Sequence, residues 1–170
     1  MTETPLRERP SRRRPAIAGE ASRTLHIERV LDAPRELVWE AWTDPAHAER
    51  WWGPKGFDVV HLEMDVRPGG SWKKCMRRQK DGFEAWRSGV FRAVEMPERL
   101  AFTYVSDDPR GIAGHETVVT VTFEDLDAKT RLTLHQAVFE SVEARDSHQG
   151  GWSSTMDRLG EYLTTTMSTH

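Results

Sequence analysis

The sequence predicts an α+β domain, one long C-terminal helix laid over an antiparallel sheet. Within Val142–Met167, residues Trp152, Met156, Leu159 and Leu163 recur at spacings of four, three and four. That is one apolar stripe on a helix, with Asp157, Arg158 and Glu161 facing elsewhere. From Phe57 onward the apolar period is instead two, as half-buried strands require. A helix with one apolar stripe and a sheet with one apolar face bury them against each other.

The elements follow in order. Residues 1–22 are polar, carry three prolines and show no period, so a disordered or loosely ordered leader is expected. Within Met1–Arg14, Arg7, Arg9, Arg12, Arg13 and Arg14 stand against Glu3 and Glu8, a local charge of +3 within a net charge of −3. Such a tail can touch phosphates, but arginines interrupted by prolines more often make a disordered, solvated leader. The single domain is expected over 23–167, with 168–170 a flexible end. Thr24–Val30 reads as the first strand. Asp32 is placed to cap a short helix whose first turn takes Pro34, with Leu37, Val38, Ala41 and Trp42 on its buried face and Trp39 at the margin. Thr43-Asp44-Pro45 punctuates, and Ala46–Trp52 makes a second short helix or turn.

Strands are then predicted over Phe57–Val66, Ser71–Arg78, Phe83–Val94, Arg99–Ser106, Thr117–Phe123 and Thr130–Phe139. They are separated by turn material at Arg67-Pro68-Gly69-Gly70, Gln79–Gly82, Met96-Pro97-Glu98 and Glu124–Lys129, and by an exposed loop over Ser106–His115. Sequential strands pair most simply antiparallel. Gly150-Gly151 interrupts the final helical pattern. Either the helix kinks or restarts there, or the missing side chains leave room for a ligand or a close approach.

These stretches also resemble a known family. Asp32-Ala33-Pro34, Val38-Trp39, Ala41-Trp42-Thr43-Asp44-Pro45, Trp51-Trp52-Gly53-Pro54-Lys55-Gly56, Asp65-Val66-Arg67-Pro68-Gly69-Gly70, Thr130–Leu134 and Gly151-Trp152 with Leu159 are similar to the activator of heat-shock-protein ATPase homologue-like proteins. That family lies within the START-like, polyketide cyclase and lipid-transport (SRPBCC) superfamily. The resemblance spans about Leu25 to Leu163. It implies a helix-grip START-like fold, a curved antiparallel sheet of about seven strands around the long C-terminal helix, with a cavity between them. Members of the superfamily bind lipids, hormones or polyketides there, and a minority catalyse cyclisation, dehydration or hydrolysis. The family often forms homodimers, so a homodimer is a further candidate assembly. The eukaryotic activator that named the family has an additional domain before its START-like part, and a leader of 22 residues is too short to supply it.

Function is read from candidate residues. Seven tryptophans crowd a chain of 170 residues. They suit core packing, and an aromatic wall also suits a small hydrophobic or amphipathic ligand. The ligand-binding candidates are Trp51, Trp72, Trp86, Phe102, Tyr104, Trp152, Met156 and Leu159. Met64, Met76 and Phe91 are further pocket candidates, and Trp52 stands at the expected mouth. Trp86 shares strand parity with Glu84 and Ser88, which leaves its direction open. Catalysis would need an acid or base in the cavity, and His61, Asp65 and Tyr104 are the candidates. His61, Glu63 and Asp65 share one strand face, which is equally the solvent face opposite Val60, Leu62 and Met64. Arg131, Thr133 and His135 form a second polar row.

Cys75 alternates with Ser71 and Lys73, while Trp72, Lys74 and Met76 form the other face; no base beside Cys75 is apparent, and a structural thiol is expected. One cysteine excludes an intrachain disulfide and a cysteine-based metal cluster. The other histidines are scattered without metal-ligand spacing, and the glycines make no phosphate loop, so neither metal nor cofactor is expected. No apolar run reaches the ~18–20 residues of a membrane span, and no apolar stretch follows the N-terminal arginines. A cytoplasmic location is expected, with no specific nucleic-acid partner. Three functions remain in view: noncatalytic ligand binding, an enzyme of cyclase, dehydratase or hydrolase character, and a chaperone-related or homodimeric interaction module.

Overall fold

The computed structural model describes residues 19–107 and 114–166. Most of the expected leader, most of the Ser106–His115 loop and the end of the chain lie outside the described residues. After a single turn of 3-10 helix at Ala21–Arg23 come β1 (Leu25–Leu31), α1 (Arg35–Thr43) and α2 (Pro45–Ala48). Six strands follow, β2 (Phe57–Met64), β3 (Ser71–Arg78), β4 (Glu84–Glu95), β5 (Arg99–Asp107), β6 (Thr117–Leu126) and β7 (Lys129–Ala137), and then α3 (Val142–Thr165).

The seven strands form one sheet in the order β1-β7-β6-β5-β4-β3-β2, every pair antiparallel. β2 to β7 are therefore a meander of sequential neighbours. β1 sits beside β7, so the β1–β2 connection crosses the whole sheet, and α1 and α2 occupy that crossing. This curled sheet gripping one long helix is the START-like fold.

Register follows from alternation. On β7, Thr130, Leu132, Leu134 and Gln136 are fully buried, while Arg131 pairs outside with Glu28 and Glu124. Their partners Leu25, Ile27, Val119, Val121 and Phe123 complete the inner face. On α3, the stripe of Trp152, Met156, Leu159 and Leu163 is buried as its spacing requires, joined by Thr155 and Tyr162. Ser141 Oγ caps the helix by accepting from the Ala144 amide at 3.0 Å.

Local details differ from expectation for identifiable reasons. Asp32 does not cap α1; the helix begins at Arg35 with Pro34 before it and no side-chain cap. Trp39 is buried rather than marginal, because it packs edge-on against Phe123 at 5.5 Å. The second short helix closes after Ala48, with Asp44 capping it through the Ala46 amide at 3.0 Å. α3 runs unbroken through Gly150-Gly151.

The Arg67-Pro68-Gly69-Gly70 turn also has a concrete basis. Gly69 takes φ +86°, and a Cβ on Gly70 would lie 1.9 Å from the Asp65 carbonyl oxygen. The Arg67 guanidinium pairs with the Asp65 carboxylate across this turn at 2.8 Å.

Candidate functional site

The aromatic residues gather in two clusters. Under α1, Trp42 meets Trp51 edge-on at 4.8 Å and Phe123 at 6.2 Å. On the β3–β5 side, Trp72 lies 4.9 Å from Trp52, 5.6 Å from Phe102 and 5.5 Å from Tyr104. Trp152 joins them, stacked on Trp42 at 6.1 Å and tilted to Tyr104 at 6.4 Å.

Where the first half of α3 crosses β3–β5, these walls leave a cavity of about 130 Å³. Trp52, Tyr104, Trp152 and Met76 supply apolar walls; Lys74, Arg87 and His148 supply nitrogen; Pro54, Ser147 and Gly151 complete the lining. Gly151 opens space on the helix side, since a Cβ there would meet nothing within 4 Å. A larger groove of about 480 Å³ runs along the outside of α3. It is bordered by half-exposed charges, the Arg29–Asp157 pair and Lys55 with Glu161 among them, and offers no comparable enclosure.

Lys74 is the chemically distinctive residue. It is 2% exposed, and its Nζ donates to the Trp52 carbonyl at 3.1 Å while sitting 3.9 Å from the centre of the Trp52 ring. The Tyr104 ring centre is 5.9 Å away. Burial pushes the Lys74 amine well below the ordinary lysine range, and the neighbouring Arg87 charge pushes it the same way. The carbonyl contact and the ring face favour the ammonium, but desolvation of a fully buried charge outweighs them.

Tyr104 is held protonated by burial, which raises its pKa, with Arg87 opposing. His148 is lowered chiefly by burial. Its Nδ1 lies 2.9 Å from the Ala144 carbonyl, which only accepts, so Nδ1 carries the proton and Nε2 keeps its lone pair. Two donors at the site, Trp52 Nε1 and Arg87 Nε, are buried without an acceptor among the described residues.

The expected site residues divide. Tyr104 and Trp152 line the cavity; of the further pocket candidates Met76 does too, as does Trp52 from the expected mouth. Trp72 and Phe102 stand behind that wall, where Trp72 Nε1 donates to the Thr103 carbonyl at 3.0 Å. Trp51, whose indole donates to the Ala41 carbonyl, and Met156 and Leu159 of the α3 stripe belong to the buried core instead. Trp86 lies outside: it stands opposite Cys75 in register and packs against His61 and Lys73 on the outer face.

His61 also pairs with Cys75 and turns outward to Glu63, and Asp65 is exposed in its turn, so neither reaches the cavity. Cys75 is buried beneath this outer layer, and burial raises its thiol pKa. Glu40, Asp44 and His47 bring three potential ligand atoms within 4.8 Å of one another at the α1–α2 corner. They already pair internally, and His47 Nδ1 meets Tyr162 Oη at 2.6 Å.

Lys74, Arg87 and His148 were not among the expected site residues. A signal for Lys74 was present, since a lysine between Trp72 and Met76 on a strand face of period two must be buried if they are. Arg87 follows from register, being directly opposite Lys74. His148 carries no such signal, because its burial depends on where α3 crosses the sheet.

The model of the activator of Hsp90 ATPase homolog 1-like protein family matches residues 32–164. The chain belongs to this family. Among solved structures, an AHSA1 protein from Silicibacter pomeroyi is 26% identical with a TM-score of 0.77, over 83% of this chain and 97% of that one. A protein from Chromobacterium violaceum is 26% identical with a TM-score of 0.76, over 83% and 96%. A solution structure from Arthrobacter aurescens is 27% identical with a TM-score of 0.76, over 87% and 90%. No curated protein matches the chain. The cavity thus lies between sheet and C-terminal helix, inside the span that this AHSA1-like family model matches. No helix among the described residues is long and apolar enough to cross a membrane.

Proposed function

We propose that the protein binds a small, planar, largely apolar molecule in the cavity between β3–β5 and α3, with the ligand's polar end turned to Lys74 and Arg87. The observation that carries this reading is a fully buried lysine facing a cavity with no carboxylate in its lining among the described residues. Burying an amine beside the Arg87 charge lowers the stability of the fold, and a polar ligand atom would give the Lys74 amine a further partner and the unsatisfied Arg87 Nε an acceptor. The unsatisfied Trp52 indole N–H asks for an acceptor in the same place. The three indole and phenol rings give a planar ligand its apolar contact area.

The volume limits the ligand. At about 130 Å³ the cavity is smaller than the ~300–1,000 Å³ of drug-sized sites and close to the ~150 Å³ cavity that accepts benzene. A single-ring compound fits. Benzyl alcohol is a suitable probe: at about 0.5 kcal/mol for each of roughly eight heavy atoms, it should bind with a Kd near ~1 mM.

The test is a titration of protein carrying ¹³C-methyl methionine and labelled indoles. The expected outcome is saturable movement of the Met76 methyl and of the Trp52 and Trp152 indole signals, with Met96 on the exposed surface unmoved. Movement confined to the groove residue Met156, or no saturable movement, would contradict the reading.

A further inference from the structure

We propose that Lys74 is the nucleophile of this cavity and forms an imine with the carbonyl carbon of a small aldehyde or ketone held between the Trp52 and Trp152 rings. This rests on the binding reading above and adds covalent chemistry to it. An amine is a nucleophile only when neutral, and proteins achieve this by desolvating a lysine in an apolar pocket or setting it beside another cation. Lys74 has both conditions, complete burial among Trp52, Trp72 and Tyr104 and Arg87 opposite it in register. One N–H of the neutral amine is anchored on the Trp52 carbonyl, which leaves the nitrogen lone pair available.

The step balances without any oxidant or reductant. The Lys74 nitrogen pair bonds to the carbonyl carbon while the C=O π pair moves to oxygen. A proton passes from nitrogen to that oxygen, giving a carbinolamine. Protonation of its hydroxyl lets the C–O bond break as water, nitrogen loses its second proton, and the C=N bond forms. Among the described residues, the titratable and charged groups facing Lys74 are Arg87 from β4, Tyr104 from β5 and His148 from α3. The protonated Tyr104 phenol donates and the free His148 Nε2 accepts, so the cavity holds both partners for these transfers. Arg87 supplies a positive charge for the oxygen as it becomes negative.

The chain makes the test clean, because the remaining lysines, Lys55, Lys73, Lys80 and Lys129, are all exposed. At pH 7 an ordinary lysine holds only about one neutral amine in 10³, so Lys74 should exceed each exposed lysine at least ~tenfold in imine formation. The full-length protein is treated with benzaldehyde and sodium cyanoborohydride at pH 7, and benzyl adducts are assigned residue by residue by peptide mass spectrometry. The proposal expects the adduct at Lys74, its loss in Lys74→Arg, and competition by benzyl alcohol. An even spread over the exposed lysines overturns it. If benzyl alcohol moves the Met76 and Trp152 signals while Lys74 takes no adduct, the cavity binds but the amine does not react. If neither occurs, the binding reading fails with it.

Discussion

A lysine whose amine burial holds well below the ordinary range makes stability depend on pH in a definite direction. Between the lowered Lys74 value and ~10.4, the unfolded chain binds a proton that the native state does not. Stability therefore rises with pH across that window, by at most about 1.4 kcal/mol per pH unit. In Lys74→Met this slope is expected to disappear, which urea unfolding over a pH series measures; loss of the Trp52 contact shifts the curve without restoring the slope. His148 acts with the same sign lower down, since below ~6.5 the unfolded imidazole takes its proton first and acidification costs stability.

Arg158 is the other decisive side chain. Its guanidinium donates to the carbonyls of Gly53 at 2.8 Å, Phe57 at 3.0 Å and Pro54 at 3.2 Å, tying α3 to the Trp-Trp-Gly-Pro loop. Arg158→Met keeps the stem and removes these bonds, and should lower the unfolding free energy by about 2–3 kcal/mol in denaturant titration.

At the scale of elements, two glycines are informative for opposite reasons. Gly89 on β4 lies beneath the Trp72 indole as it crosses to the Thr103 carbonyl on β5. A Cβ there would stand 1.8 Å from that carbonyl oxygen and 2.6 Å from Trp72 Nε1. Gly89→Ala should cost about 3 kcal/mol or more, and should expose Trp72 to fluorescence quenchers. On α3, Gly150→Ala and Gly151→Ala should each favour the helix by up to about 1 kcal/mol, since neither Cβ meets anything within 4 Å. Only Gly151 lines the cavity, so only Gly151→Ala should weaken benzyl alcohol binding in the methyl titration.

Strand positions were legible because period two is a strong signal: Ser71–Arg78 is the strand both expected and found. Period two also put Lys74 on the face of Trp72 and Met76. It does not say which face of a strand is concave, so Trp86 and His61 were open until register with Cys75 placed them outside. The cavity itself arises where α3 lies against β3–β5, a long-range packing relation that no local pattern contains.

Across the whole molecule, α3 is tied along its length. Trp152 Nε1 donates to the buried Gln136 at 2.7 Å, Arg29 meets Asp157 at 2.8 Å, and Tyr162 meets His47 at 2.6 Å. The helix and the loop it holds thus close one side of the cavity as a unit, so an occupant should stabilise the entire fold. At ten times its Kd, benzyl alcohol should add about 1.4 kcal/mol and raise Tm by ~3–6 °C in a thermal melt, and Lys74→Arg should reduce that gain. The most direct measurement is a crystal structure of the protein with benzyl alcohol. The predicted result is the ring between Trp52 and Trp152 with its hydroxyl in hydrogen-bond reach of Lys74 Nζ. A cavity closed by its own side chains, or benzyl alcohol seated only in the groove by Arg29 and Asp157, would contradict the account.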